Sequence, residues 1–242
     1  MKIILVKTEF NFSFISVLLY LVFLALLICL GFWQLDRAEE KRRFFAKEQL
    51  SEGQSVSQMD LLRAADTEDL RYKKIEITGQ YDQQHQYLID NQIVNRQVGY
   101  FVMTPFLLDG MEKAVLVNRG WVALNKQRSV LPELSINTLK ASLTGRINAF
   151  PVVGIKLAGA EIPTEGWPSV VQVVDVKVLS ERLGYSLFPF QIELDSDMEN
   201  GYIRDWKKTS IMPPEKHIAY AVQWFGLAIT LTILFIWMSS KK

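Results

Sequence analysis

Side chains in settings that invite chemistry are sparse in this chain, and His217 has the most telling one. It stands at the head of an uncharged apolar stretch, residues 218–238, where water would give way to lipid if that stretch crosses a bilayer. At helical spacing, His217, Tyr220, Ala221, Trp224 and Ala228 share one face. An imidazole above an aromatic step and two small residues could offer an axial ligand to a porphyrin lying against the helix. The competing reading is an interfacial belt, with Tyr220 and Trp224 at headgroup depth and His217 capping the helix. The other histidine, His85, lies in the polar run Asp82-Gln83-Gln84-His85-Gln86 and reads as a solvated turn residue.

Two further constellations stand out. Gln223 lies inside the apolar run, and an amide in hydrocarbon needs a partner. Gln34 holds a similar place near the end of an earlier apolar stretch, beside Trp33. Paired Trp–Gln dipeptides predict that the two segments touch there, with Gly226, Ala219 and Thr230 allowing close approach; the alternative has Gln223 facing a different membrane protein. Asn118-Arg119-Gly120-Trp121 ends an apolar strand. Arg119 beside an aromatic could bind a carboxylate, or the unit could fix a turn or barrel corner, with Arg119 paired to an acid. Nucleophile-elbow, zinc-protease and phosphate-loop motifs are missing, so nothing in the residue pattern argues for an enzyme, and nothing excludes one.

These residues must be positioned by helices at the two ends of the chain and strands between them. Residues 14–32 and 218–238 each approach or reach the roughly 20 residues that span a hydrocarbon core. The first is too long for a signal-peptide core, and no small-x-small site follows it. The few residues before it leave no room for an Arg-rich transit peptide, which points to a bacterial chain. The expected layout is a short N-terminus (1–13), a span (14–35), a β-rich domain (36–216), a second span (217–238) and a tail (239–242).

Helical periodicity continues past the first span to Ser51-Glu52-Gly53, and a short amphipathic helix is predicted over 56–65. Alternation then predicts strands at 73–78, 86–90, 99–108, 113–122, 141–150, 169–174 and 188–193, with a helix at 176–183 closed by Gly184. Asp109-Gly110 marks a hairpin turn. The fold class is therefore a membrane protein with two terminal transmembrane α-helices flanking a mainly antiparallel β domain, barrel- or sandwich-like, with short helices.

Net charge is +1, so no strong field points to nucleic acid. The single Cys29 excludes an intrachain disulfide, a CxxC pair and any multi-cysteine metal site. Lysines and arginines near the spans favour a cytoplasmic domain by literal count. Asp36, Glu39 and Glu40 interleave with them, however, and long loops translocate largely regardless of charge. Charge leaves the orientation open.

Gly31-Phe32-Trp33-Gln34-Leu35-Asp36-Arg37 with Lys41 resembles the opening motif of the surfeit locus protein 1 family of cytochrome c oxidase assembly factors. Leu70-Arg71-Tyr72-Lys73-Lys74-Ile75 through Gly79-Gln80-Tyr81 is similar to its next block, and Val98-Gly99-Tyr100, Thr104-Pro105-Phe106 and 115–122 to its middle. The run 216–226 is similar to its closing motif; Ala123 stands where the family often has proline. The resemblance implies a non-catalytic role, that of a protein that is not an enzyme, in maturing haem–copper oxidase, with haem a handled for the largest oxidase subunit and haem a synthase as a further partner. It also implies a bacterial inner-membrane location, both termini cytoplasmic and the central domain periplasmic. The histidine matching His217 is the family's proposed haem ligand, with Tyr220 and Trp224 expected to cover a porphyrin face. No copper role is expected, because the chain lacks the thiols that select copper(I). The alternative is a scaffold that binds oxidase subunits or the synthase and no haem, with Arg119 and Trp121 on its binding surface.

Overall fold

The structure, a computed structural model, describes residues 13–63, 67–152, 157–206 and 212–240. In chain order its elements are α1 (Phe14–Glu52), β1 (Ser55–Val56), α2 (Asp60–Arg63), a 3-10 turn (Thr67–Asp69), β2 (Lys74–Tyr81), β3 (Tyr87–Val94), β4 (Gln97–Leu108), β5 (Ala114–Ala123), β6 (Lys140–Asn148), β7 (Ser169–Val171), α3 (Val176–Leu183), β8 (Leu187–Leu194) and α4 (Pro214–Ser239). They form two units: Met1–Lys47 with Thr209–Lys242, and Glu48–Lys208.

The first unit is a pair of helices, both long and apolar enough to cross a membrane. At 1.5 Å per residue, α1 is about 58 Å long, nearly twice a hydrocarbon core. The helix persists beyond its apolar part because the following charges pair along it: Arg37 with Glu40 (2.6 Å) and Arg43 with Glu39 (3.2 Å). It stops where Gly53 follows, as the sequence predicts. α4 begins at Pro214, whose fixed φ suits a first helical position and whose missing N–H costs nothing there.

The second unit is a barrel with an extension. Strands β2, β6, β8, β5 and β4 neighbour one another in turn, and β2 also pairs with β4, which closes the ring. β4 manages this by changing partners: 106–108 bond β2, while 97–103 bond β3. β3 and β7 therefore continue the sheet outside the ring. Ile75, Ile77, Tyr81, Phe106, Val115, Val117, Leu143, Phe190 and Ile192 belong to one buried core. Alternate β5 residues Ala114 and Leu116 join a second core with Tyr87, Met103 and Leu179 of α3. Both faces of β5 are thus covered, which explains its near-continuous apolar run.

The sheet is mainly antiparallel, as expected, with parallel pairs at β1–β2, β3–β7 and β5–β8. One expectation changes. The helix expected over 56–65 is instead β1 followed by the single turn α2; residues 64–65 lie outside the described ones. Ser57 donates from N and Oγ to Asp60 Oδ2 (2.8 and 2.7 Å), which delays the helix start, while Lys74 N bonds Gln54 O and draws the segment onto β2.

Candidate functional site

The seam between α1 and α4 places His217. Ala221 and Ala228 are buried in it. Phe225 packs on Gly31 so closely that a Cβ there would lie 2.5 Å from its ring, and it meets Phe32 edge-on at 5.5 Å. Farther along, Tyr20 stacks on Phe235 at 4.2 Å and shares a hydrogen bond with Thr232 (3.1 Å). These contacts fix register, so that Gln34 comes opposite His217.

His217 Nδ1 lies 2.7 Å from Gln34 Oε1. An amide oxygen only accepts, so Nδ1 carries the hydrogen and donates. That fixes the neutral ring as the tautomer with its lone pair on Nε2, and no described residue hydrogen-bonds that atom. Orientation of an imidazole through its other nitrogen is the usual support for a metal-ligating histidine. The ring itself is half-buried, Trp224 is half-buried and Tyr220 is exposed. His217 does not cap α4: the cap is Pro213, without a side-chain bond.

The helix-pairing residues divide. Gln34 pairs across the seam, but with His217, not with Gln223. Gln223 and Gly226 are exposed, and a Cβ on Gly226 would meet nothing within 4 Å. The physical reason is angular: at 3.6 residues per turn, both point well away from Ala221, Phe225 and Ala228. The small residue at the contact is Gly31. Trp33 stays half exposed, with the Arg37 guanidinium 5.7 Å over its ring.

Arg119, Gly120 and Trp121 are all buried, so they form a barrel corner and no surface for a partner. Arg119 donates to Asn200 O (2.6 Å), Gln86 Oε1 (2.8 Å) and Ser135 O (2.7 Å), and it lies 5.1 Å from the Tyr202 ring. The acid expected beside it is replaced by neutral oxygens and an aromatic face. Burial lowers its pKa from the ordinary guanidinium value. Gly120 has φ +110, and a Cβ there would lie 2.7 Å from Ile203 O. Trp121 Nε1 donates to Gln92 O (2.9 Å).

His85 is better held than its polar neighbours announce. Its Nδ1 lies 2.7 Å from Asp82 Oδ2, which also accepts from Tyr185 Oη (2.7 Å), and its ring meets Trp167 edge-on at 4.8 Å. Burial works against ionisation of Asp82. The His85 and Tyr185 hydrogen bonds outweigh it and bring the carboxyl below its ordinary value. Tyr185 lies a hundred residues away in sequence, so only the spacing of Asp82 and His85 could have signalled the cluster. Among the described residues, no group of three or more His, Cys, Asp or Glu side chains could hold a bare metal ion.

A sequence model of the SURF1 family matches residues 21–229. The chain is 29% identical to a SURF1-like protein of Rickettsia conorii, over 90% of this chain and 89% of that one. It is 23% identical to surfeit locus protein 1 of Arabidopsis thaliana, over 85% and 72%. A shorter match, 34% over 59 residues, links it to the cytochrome oxidase assembly protein SHY1 of Saccharomyces cerevisiae, covering 24% of this chain and 15% of the yeast protein.

Proposed function

The chain belongs to the SURF1 family, and from that premise we propose that it assists assembly of a haem–copper cytochrome c oxidase by holding haem a for the largest oxidase subunit. The observation that supports the haem reading is the His217–Gln34 bond, which engages Nδ1 and leaves Nε2 without a hydrogen-bond partner among the described residues. When bound, the haem would supply an iron that His217 would ligate through Nε2. The chain's own residues do the rest. Gln34 holds the His217 ring through Nδ1, and Trp224 and Tyr220 would offer aromatic surface to the macrocycle. A single histidine suits a carrier, since cargo held on one axial ligand can be given up.

In this reading the chain crosses a bacterial cell membrane twice, with both termini cytoplasmic and the barrel periplasmic. The barrel offers its surface to oxidase subunit 1 or to haem a synthase, and the chain performs no catalytic step itself. The test is the visible spectrum of detergent-purified protein coexpressed with the haem a synthesis enzymes. Wild type should carry a haem a band that His217→Ala loses. Equal bands in both, or none in either, would sink the ligand assignment.

A further inference from the structure

α4 has a second face that the pairing with α1 leaves open. Ala219, Gln223, Gly226 and Thr230 are all exposed, and they lie nearly half a turn from the buried Ala221 and Ala228. Gln223 makes no hydrogen bond with any described residue, and it sits about 8 Å inside the apolar run that starts at residue 218. In a bilayer that depth is hydrocarbon, where a primary amide without a partner costs several kcal/mol. The other polar group on the face is already satisfied: Thr230 Oγ1 donates to Gly226 O at 2.9 Å and leaves its methyl outward. One unmet amide per chain therefore remains, beside a glycine where a Cβ would meet nothing within 4 Å.

We propose that this face is where a second copy of the chain docks, α4 against α4 about a twofold axis, with the two Gln223 amides paired. A primary amide is self-complementary: each Nε2–H can donate to the other's Oε1, so two copies satisfy each other with two hydrogen bonds. Gly226, with Ala219 and Thr230 a turn to either side, lets the backbones approach closely enough for that exchange. A twofold contact of this kind uses the same patch on both partners and closes without leaving an open edge. The proposal rests on α4 crossing the membrane and is independent of haem binding at His217, which lies close to the seam with α1.

The experiment uses full-length protein in native membranes, in a Cys29→Ser background. Single cysteines at Ala219 or Thr230 should give disulfide-linked dimers on mild oxidation, and Ile229→Cys, about a quarter-turn away, should give far less. In detergent, subunit-exchange fluorescence transfer should show Gln223→Leu associating about tenfold or more weakly than wild type, with Gln223→Asn retaining most of the affinity. Leu is more apolar than Gln, so a failure to insert will not mimic the loss. Crosslinks that join Ala219→Cys or Thr230→Cys to an unlike membrane protein and not to a second copy would overturn the proposal. So would an unchanged dimer fraction in Gln223→Leu.

Discussion

At the scale of single residues, polar groups here are positioned by partners distant in sequence. Asp82 accepts from His85 and Tyr185 and so has a folded pKa below its ordinary value of about 3.8. A depressed carboxyl contributes stability that is present above the unfolded pKa and lost as pH falls through the folded one. The stability difference between wild type and Asp82→Asn should therefore shrink as pH falls below about pH 4, as read from urea unfolding at each pH. Arg119→Met should cost at least about 3 kcal/mol, because Ser135 O, Asn200 O and Gln86 Oε1 all lose their donor in a buried setting. Gly120→Ala should cost about 1–3 kcal/mol from the positive φ, with the Ile203 carbonyl adding to it; the unfolding midpoint should drop at unchanged slope. The place of His217 near the start of α4 was legible because one apolar run follows it. The Asp82–His85–Tyr185 cluster was not, because nothing local marks Tyr185 as its third member.

At the scale of elements, period-2 alternation located the β2 to β6 strands and β8 to within a few residues, and Gly184 closed α3 where the sequence said. What alternation could not supply was pairing. The ring closes because β4 leaves β3 for β2 partway along its length, and β5 takes β8 in parallel on its other edge; no local pattern marks either pairing. β1 was invisible because two residues carry no period. On the helices, small residues were the right signal at the wrong address: Gly31 makes the close approach and Gly226 faces outward. Gly31→Leu should push Phe225 out of the seam and separate His217 from Gln34. Haem a retained per mole of purified protein should then fall several-fold although His217 is intact. Gly110→Ala, where no atom lies within 4 Å of the added carbon and only the positive φ is strained, should leave it unchanged.

At the scale of the whole molecule, a helix pair and a closed barrel divide the labour. The helices present an imidazole oriented by an amide, and the barrel pairs buried polar groups within itself at Asn118–Gln191 and Arg146–Glu193. Its Asn118-Arg119-Gly120-Trp121 corner belongs to the barrel interior and offers no surface to a partner. The central claim is that His217 Nε2 is an axial ligand, and chemical rescue tests it most directly. The measurement is the haem a band of His217→Gly protein purified without and with added imidazole. The account predicts little haem without imidazole and return of a six- or five-coordinate imidazole-type spectrum with it. A wild-type amount of haem a on His217→Gly without imidazole would contradict it.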